Sequence, residues 1–119
     1  MTYKESDTVI GYSGLDLVEE CYGYNENACF IGDSRAAAQQ FMEDSLMGGS
    51  DFRIDAVTID EIMNDFGSSC GEFAMESEAF RRFTAVAVVN GIRFEATPFD
   101  GDESLMVVEV EGARYPDED

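Results

Sequence analysis

The chain has 119 residues, of which 45% are apolar, so it has the usual size of one domain and enough apolar side chains to bury a core. It carries 26 Asp and Glu against 7 Lys and Arg, and its formal net charge is -19. It contains no His, which excludes Ser-His-Asp and Cys-His catalysis and the histidine-containing zinc and iron sites.

The first segment, through Tyr24, is predicted to contain one short helix, because Leu15, Val18 and Tyr22 fit a single helical face. Three glycines leave no room for a longer helix. They are Gly11, Gly14 and Gly23. Residues 28–31 then form a short apolar run before a glycine, which predicts a strand.

A helix is predicted to follow through Met47, with Asp33 or Ser34 as its N-cap and two glycines after its end. Its inner stripe is Ala37, Phe41, Met42, Ser45 and Leu46. Residues 52–57 alternate between apolar and charged side chains, which is the period of a half-buried strand.

The sequence from Thr58 to Glu61 is a capping box, in which the Thr58 hydroxyl accepts from the Glu61 amide and the Glu61 carboxylate accepts from the Thr58 amide. It predicts a short helix that ends at Gly67. The buried face of this helix is Ile59, Ile62, Met63 and Phe66. Residues 69–72 repeat the capping pattern and predict a longer helix that runs to about Asn90.

The end of this longer helix has two interpretations. Residues 84–89 are rich in β-branched side chains, and Asn90-Gly91 could form a type I′ turn between two strands. The helical propensity of residues 75–83 and the continuing apolar stripe favour a helix, with Gly91 as the left-handed residue just past its end.

Residues 92–99 and 105–110 are predicted as two strands of a hairpin, joined by residues 100–103. The order of elements predicts an α+β fold, with a small antiparallel or mixed sheet and helices packed on one face, in a single acidic domain over residues 1–119. The other face of the sheet needs a cover, and we expect a homodimer to supply it.

The three cysteines, Cys21, Cys29 and Cys70, are odd in number and contain no C-x-x-C, so reduced and mostly buried thiols are expected. Cys70 lies at a predicted helix start, which can lower a thiol pKa, but the carboxylates of Asp65 and Glu72 oppose this effect. The N-terminus does not resemble a signal peptide, and no apolar run approaches the ~18 residues of a membrane span. A cytoplasmic protein without membrane contact is therefore expected.

Phosphate-binding glycine motifs are absent, and a chain so poor in Lys and Arg is badly equipped to bind phosphates or a nucleic acid backbone. Arg81 and Arg82 form the only pair of adjacent basic residues. Arg82 is expected to pair with Glu78 one turn earlier rather than to anchor an acidic ligand. No cofactor and no metal site are predicted.

Two groups of carboxylates remain as candidate binding residues. The first group is Asp60, Glu61 and Asp65, and the second group is Asp100, Asp102 and Glu103. In the first, Glu61 and Asp65 are four residues apart on a helix and repel each other unless a cation or a basic partner lies over them. The second resembles only a fragment of a calcium loop, because the twelve-residue pattern with its distal Glu is missing. A solvated surface is the alternative for both groups.

The negative charge is large but spread along the chain. A folded protein of this mass exposes ~6,400 Å², which gives a mean density about threefold below that of duplex DNA. DNA mimicry would need most carboxylates on one face, and the spacing does not predict this. Solubility and fast encounter with a basic protein need only a diffuse negative field.

The segments DFRIDAVTIDEIMNDFG and CGEFAMESEAFRRF, in a compact acidic single-domain chain, resemble the uncharacterised proteins encoded by bacterial mobile elements, including integron gene cassettes. The resemblance is one of overall type. It implies a bacterial accessory protein with an unknown partner and transfers no site residue.

Two functional hypotheses follow. The first is a non-enzymatic accessory protein whose acidic surface, formed by the two carboxylate groups above, binds a basic protein. The second is a small-molecule-binding protein or a carboxylate-based enzyme with an apolar pocket lined by Phe and Met.

Overall fold

The computed structural model of the chain describes residues 3–17, 21–22, 29–45, 51–65 and 72–111, and it has the predicted α+β architecture. Within these residues the elements are β1 (Gly11–Asp16), β2 (Cys21–Tyr22), β3 (Cys29–Ile31), α1 (Arg35–Ser45), β4 (Phe52–Val57), β5 (Glu72–Glu76), α2 (Ser77–Asn90), β6 (Phe94–Phe99) and β7 (Asp102–Val110). A π-helical turn, Glu61–Asp65, lies between β4 and β5.

The strands form two sheets. The first has the order β2-β1-β4 and is antiparallel. The second has the order β3-β5-β7-β6, with β3 parallel to β5 and the other pairs antiparallel. The sheets meet where Tyr12 bridges Gly32. A Cβ at Gly11 would lie 2.7 Å from the Gly32 carbonyl oxygen, so only glycine permits this approach.

The main core lies between α2 and one face of the second sheet, which we call the packed face. Fully buried residues of the strands on this face include Phe73, Met75 and Val108. Phe83 of α2 packs against Phe94 of β6, with ring centroids 4.9 Å apart. Further fully buried core residues are Ile10, Ile31, Val57, Ile59, Ile62, Ala79 and Ala87.

The predicted end of the long helix is confirmed. Helix α2 runs to Asn90, and Gly91 follows with φ 68 and ψ 23, the left-handed conformation that glycine adopts without steric cost. The next amide, that of Ile92, donates to the Ala87 carbonyl at 2.9 Å, which satisfies one of the last carbonyls of the helix. Residues 84–89 are therefore helical rather than a strand.

Helix α1 also confirms its predicted N-cap. The Ser34 hydroxyl accepts from the Ala37 amide at 3.1 Å. Met42 is buried, and Phe41 stacks on Phe30 of β3 with ring centroids 4.3 Å apart. The predicted continuation of this helix to Met47 lies outside the described residues.

The prediction of a short helix in the first segment is wrong. Residues 11–16 form β1 instead, which pairs with β4 over six residues from Gly11–Val57 to Asp16–Phe52. A three-residue match to a helical face was outweighed by this pairing, whose partner lies about forty positions further along the chain. Residues 18–20, which include Val18, and residues 23 and 24 belong to the same prediction and lie outside the described part.

The start of the longer helix was also placed too early. Residues 72–76 form β5, which pairs with β3 and β7, and the helix begins only at Ser77. Phe73 and Met75 are two positions apart, so they share one face in a strand but not in a helix, whereas the capping pattern of residues 69–72 had favoured the helix. The neighbouring strands decide between these two, because they satisfy the backbone hydrogen bonds of β5.

The hairpin at the end of the chain is confirmed, with β7 starting three residues earlier than predicted. Its turn residues, Asp100 and Gly101, both have positive φ, 50 and 79, as in a type I′ turn.

Cys29 is disulfide-bonded, so the expectation that all three thiols are reduced is wrong. The sequence offers Cys21 and Cys70 as partners, and the side chains of both lie outside the described residues. Connectivity of this kind cannot be read from cysteine spacing alone.

Neither of the helices described here could cross a membrane, because neither is long and apolar enough.

Candidate functional site

Three glutamates of the second sheet stand side by side on the face opposite α2. Glu72 of β5 pairs with Glu109 of β7, and Glu109 pairs with Glu95 of β6. We call these three residues the acidic row. Neighbouring strands lie about 4.8 Å apart, so the row extends over roughly 10 Å across the sheet.

The acidic row lies where this face is open. Near β3 the face is covered by α1, through the stacked Phe41 and Phe30 rings. Over β7 and β6 it is open, and Glu109 and Glu95 are exposed while Glu72 is half-buried.

No salt bridge to the acidic row is found within the described residues, and the basic side chain nearest to it along β6 is Arg93, which lines the adjoining cavity with Glu95 and Glu109. The two salt bridges found there, Arg53 with Asp55 and Arg81 with Glu78, lie on other elements. Like charges directly opposite each other in a sheet destabilise it. The row therefore holds carboxylates in an arrangement in which they repel one another.

The position of the row follows from the strand period. In β7, Val108 and Val110 stand directly before and after Glu109. Both point to the packed face and are buried. Glu111 lies two positions after Glu109 and therefore on the same face. Its amide donates to the Arg93 carbonyl at 2.9 Å, which extends the pairing of β6 and β7 by one residue pair. Glu111 and Arg93 therefore extend the open face next to the row.

A surface cavity of about 600 Å³ lies at this end of the hairpin. Among the described residues its charged lining is Glu95, Glu109, Glu111 and Arg93, and its apolar lining includes Phe94 and Val110. This lining holds one Phe and no Met, so it differs from the apolar Phe and Met pocket of the second hypothesis. The cavity instead lies at the end of the sheet that carries two glutamates of the acidic row, Glu95 and Glu109.

The first predicted group of carboxylates is partly engaged in local structure. The Glu61 carboxylate accepts from the Thr58 amide at 3.0 Å, as the capping box predicts. The Thr58 hydroxyl, however, donates to the same carboxylate at 2.8 Å instead of accepting from the Glu61 amide. Asp60 and Glu61 are half-buried, and the side chain of Asp65 lies outside the described part.

The second predicted group lies at the turn of the hairpin. Asp100 and Glu103 are exposed, and the side chain of Asp102 lies outside the described residues. Glu103 and Glu109 are six positions apart on β7, which corresponds to about 20 Å along the strand. This turn and the acidic row therefore occupy opposite ends of the same hairpin.

The acidic row was missed by sequence reasoning for two reasons. Glu72 was assigned to a helix cap, so it had no predicted strand neighbours. The alternation in residues 107–111, Val-Val-Glu-Val-Glu, does place Glu109 and Glu111 on one face, and this signal was available. The register that sets Glu95 and Glu72 beside Glu109 could not be read from this alternation.

Arg82 does not pair with Glu78, contrary to the prediction. Glu78 pairs with Arg81, and this hydrogen bond, helped by the charge of Arg81, lowers the pKa of the Glu78 carboxyl below its ordinary value. Arg82 turns inward and donates to the carbonyls of Asp33 at 3.3 Å and Ile10 at 3.5 Å. It thereby ties α2 to the junction of the two sheets.

The same junction contains a reciprocal cap. The Asp33 carboxylate accepts from the Ala79 amide in the first turn of α2 at 2.7 Å. The Asp33 amide donates to the Glu76 carboxylate at 2.9 Å. These two carboxylates are therefore used to join α2 to the loop after β3, and they do not form an open site.

In the part of the chain that the structure describes, no three Cys, Asp or Glu residues form a group that could hold a metal ion. Comparison with protein-family models, curated proteins and solved structures finds no match to this chain. The fold and the surface define it as an acidic α+β protein with a carboxylate-bearing open sheet face.

Proposed function

We propose that this protein is a non-enzymatic accessory protein that binds a basic protein partner through its acidic surface, with the acidic row at the centre of the contact. The observation that carries this proposal is the cross-strand alignment of Glu72, Glu109 and Glu95, to which no salt bridge is found among the described residues. The resemblance to mobile-element proteins agrees with an accessory role. The cytoplasmic location stays a prediction, and the disulfide at Cys29 weighs against it, because disulfides are rare in cytosolic proteins.

The geometry favours a protein partner over a single ion. The carboxylates are spaced by the distance between strands, about 4.8 Å, and they stand in a line across the sheet. Separate Lys and Arg side chains of a partner can each meet one carboxylate at this spacing. Removal of the repulsion within the row adds to the attraction, and the net charge of -19 speeds the encounter.

The two predicted groups of carboxylates belong to the periphery of this proposal. Asp100, Asp102 and Glu103 begin about 20 Å from the row along β7, so only a partner of larger footprint reaches both. Asp60, Glu61 and Asp65 follow β4 of the other sheet, where Glu61 is already used by Thr58.

A homodimer remains a prediction, but we expect it to use α2 rather than the open sheet face. Two copies joined through their acidic rows would bring six glutamates together, which is electrostatically unfavourable. On the outer side of α2, Val88 is 71% exposed and Val89 is 43% exposed, and Glu78 is the only acidic residue of the helix.

The proposal is tested by charge-neutralising variants of equal charge change. The row variant carries Glu72→Gln, Glu95→Gln and Glu109→Gln. We expect a basic protein that the native chain captures at low salt to be lost with the row variant, because the aligned carboxylates are gone. Capture should also fall steeply as salt rises.

The matched control carries Glu5→Gln, Asp7→Asn and Glu43→Gln, three exposed carboxylates on other elements. It has the same net charge as the row variant and should still capture the partner. Equal capture by the row variant and the native chain, or equal loss in both variants, would contradict a role for the acidic row.

A further inference from the structure

The outer edge of β6 carries backbone groups that no described strand pairs with. Strand β6 is the last strand in the order β3-β5-β7-β6, and its described partner is β7. Because the Glu111 amide donates to the Arg93 carbonyl, Arg93 and every second residue after it direct their backbone groups toward β7. Phe94 and Ala96 therefore direct their N–H and C=O groups outward.

The two sides of this edge differ in chemistry. On the packed face Phe94 is half-buried and meets the edge of the half-buried Phe80 ring of α2, with centroids 6.1 Å apart. On the open face Glu95 is exposed, with Glu109 as its neighbour one strand further in. One side of the edge is thus aromatic, and the other carries Glu95 between Arg93 and Thr97, with Glu109 and Glu111 on the neighbouring strand side.

We propose that the basic partner binds by adding a short extended segment to β6 as a fifth strand of the second sheet. Alternate residues of such a segment are apolar, and they lie against Phe80 and Phe94. The residues between them are Lys or Arg, and they lie beside Glu95 at the spacing of the acidic row. This inference rests on the proposed function and specifies how the partner is held.

Pro98 limits the length of the added strand. Like Phe94 and Ala96, it directs its backbone groups outward, but it has no N–H group to donate. Proline is usually found in this setting, at a sheet edge. The partner segment therefore pairs along residues 94–96 and ends before Pro98.

A second copy of this chain fits the edge poorly. Two β6 strands paired edge to edge with Glu95 opposite Glu95 would place two like charges side by side on one face, which destabilises that register. Charge complementarity selects a basic segment instead.

The test uses a synthetic peptide with the sequence Val-Lys-Val-Lys-Val-Lys-Val, capped at both ends, and a control peptide of equal composition with its three lysines adjacent. Binding is measured by fluorescence anisotropy at low salt. We expect the alternating peptide to bind at least tenfold tighter than the control peptide, because only alternation places all lysines on the acidic side.

Two substitutions on β6 act in opposite directions. Ala96→Pro removes an outward N–H while leaving the β7 ladder and the acidic row intact, and it should weaken binding of the alternating peptide at least tenfold. Pro98→Ala restores an outward N–H and should strengthen binding severalfold. Unfolding curves of both variants establish that they remain folded.

Amide hydrogen exchange of the native chain gives an independent measurement. The peptide should slow exchange at Phe94 and Ala96 and leave the already paired Glu95 amide nearly unchanged. A protected Glu95 amide without protection at its neighbours would overturn strand addition.

The outcomes separate this inference from the proposed function. If Ala96→Pro binds the peptide as well as the native chain, but the row variant does not, strand addition is overturned and the acidic surface stands. If neither variant changes binding, both proposals fail. If light scattering shows a native dimer that Ala96→Pro dissociates, the edge is occupied by a second copy and the inference is overturned.

Discussion

The two faces of the second sheet are built from the same strands but have opposite properties. On the packed face Phe73, Met75 and Val108 are completely buried beneath α2. On the open face, Glu72 and Glu109 come from adjacent positions in the same strands; Glu109 is exposed together with Glu95, and Glu72 is half-buried. The strand period of two residues thus separates the buried core from the carboxylates within a single sheet.

The free-energy contributions of the two faces also differ in size. Burial of one large apolar side chain stabilises the fold by about 1.5–3 kcal/mol, whereas a cross-strand pair of like charges destabilises it by less than about 1 kcal/mol. The stabilisation from burial on the packed face is therefore larger than the cost of the repulsion in the acidic row. The following predictions test this difference, from the largest expected effect to the smallest.

Phe83→Ala should destabilise the protein by about 3–5 kcal/mol, because it removes a fully buried ring that packs against Phe94 and leaves a cavity on the packed face. Urea unfolding measures the loss. Val88→Ala on the exposed side of the same helix is the control, and it should change stability by less than about 0.5 kcal/mol. Similar losses in both variants would contradict the assigned orientation of α2.

Reduction should destabilise the native protein by about 2–4 kcal/mol, because Cys29, on the packed face, is disulfide-bonded. Under denaturing conditions without reductant, a thiol titration should find one free thiol per chain, since two of the three cysteines are joined. Three free thiols, or a melting temperature that reductant leaves unchanged, would show that this bond is absent.

Glu109→Gln should raise the free energy of unfolding by about 0.2–1 kcal/mol, because it removes the central charge of the acidic row. The gain should shrink as salt screens the row. Glu103→Gln changes the net charge equally on the same strand but outside the row, so it should stabilise less. A loss of stability in Glu109→Gln would refute the repulsive alignment.

The smallest effect concerns the exposed pair on the outer side of α2. The hydrogen bond from Arg81 lowers the pKa of Glu78, so the stabilisation from this pair is present above the ordinary Glu pKa and is lost as pH falls through the lowered value. Glu78→Gln should therefore melt slightly below the native chain at neutral pH and together with it at acid pH. A difference that persists in acid would exclude this ion pair as its source.

The sequence alone established the composition, the α+β class and several elements. Strand β4, the Ser34 cap, the end of α2 at Gly91 and the hairpin turn rest on residues close to one another in the chain. Propensity, capping and turn chemistry act over this range, so they were sufficient. The strong negative charge and the missing histidines also follow from the sequence directly.

The tertiary structure decided β1, β5 and the acidic row. A segment such as residues 72–76 fits a helix or a strand, and only its pairing with β3 and β7 selects the strand. The row needs the registers of two strand pairs at once, and the residues it joins, Glu72, Glu95 and Glu109, lie up to 37 positions apart. Register is fixed by packing against α2 on the opposite face, so the place where the charge is concentrated could not be read from the spacing of the carboxylates.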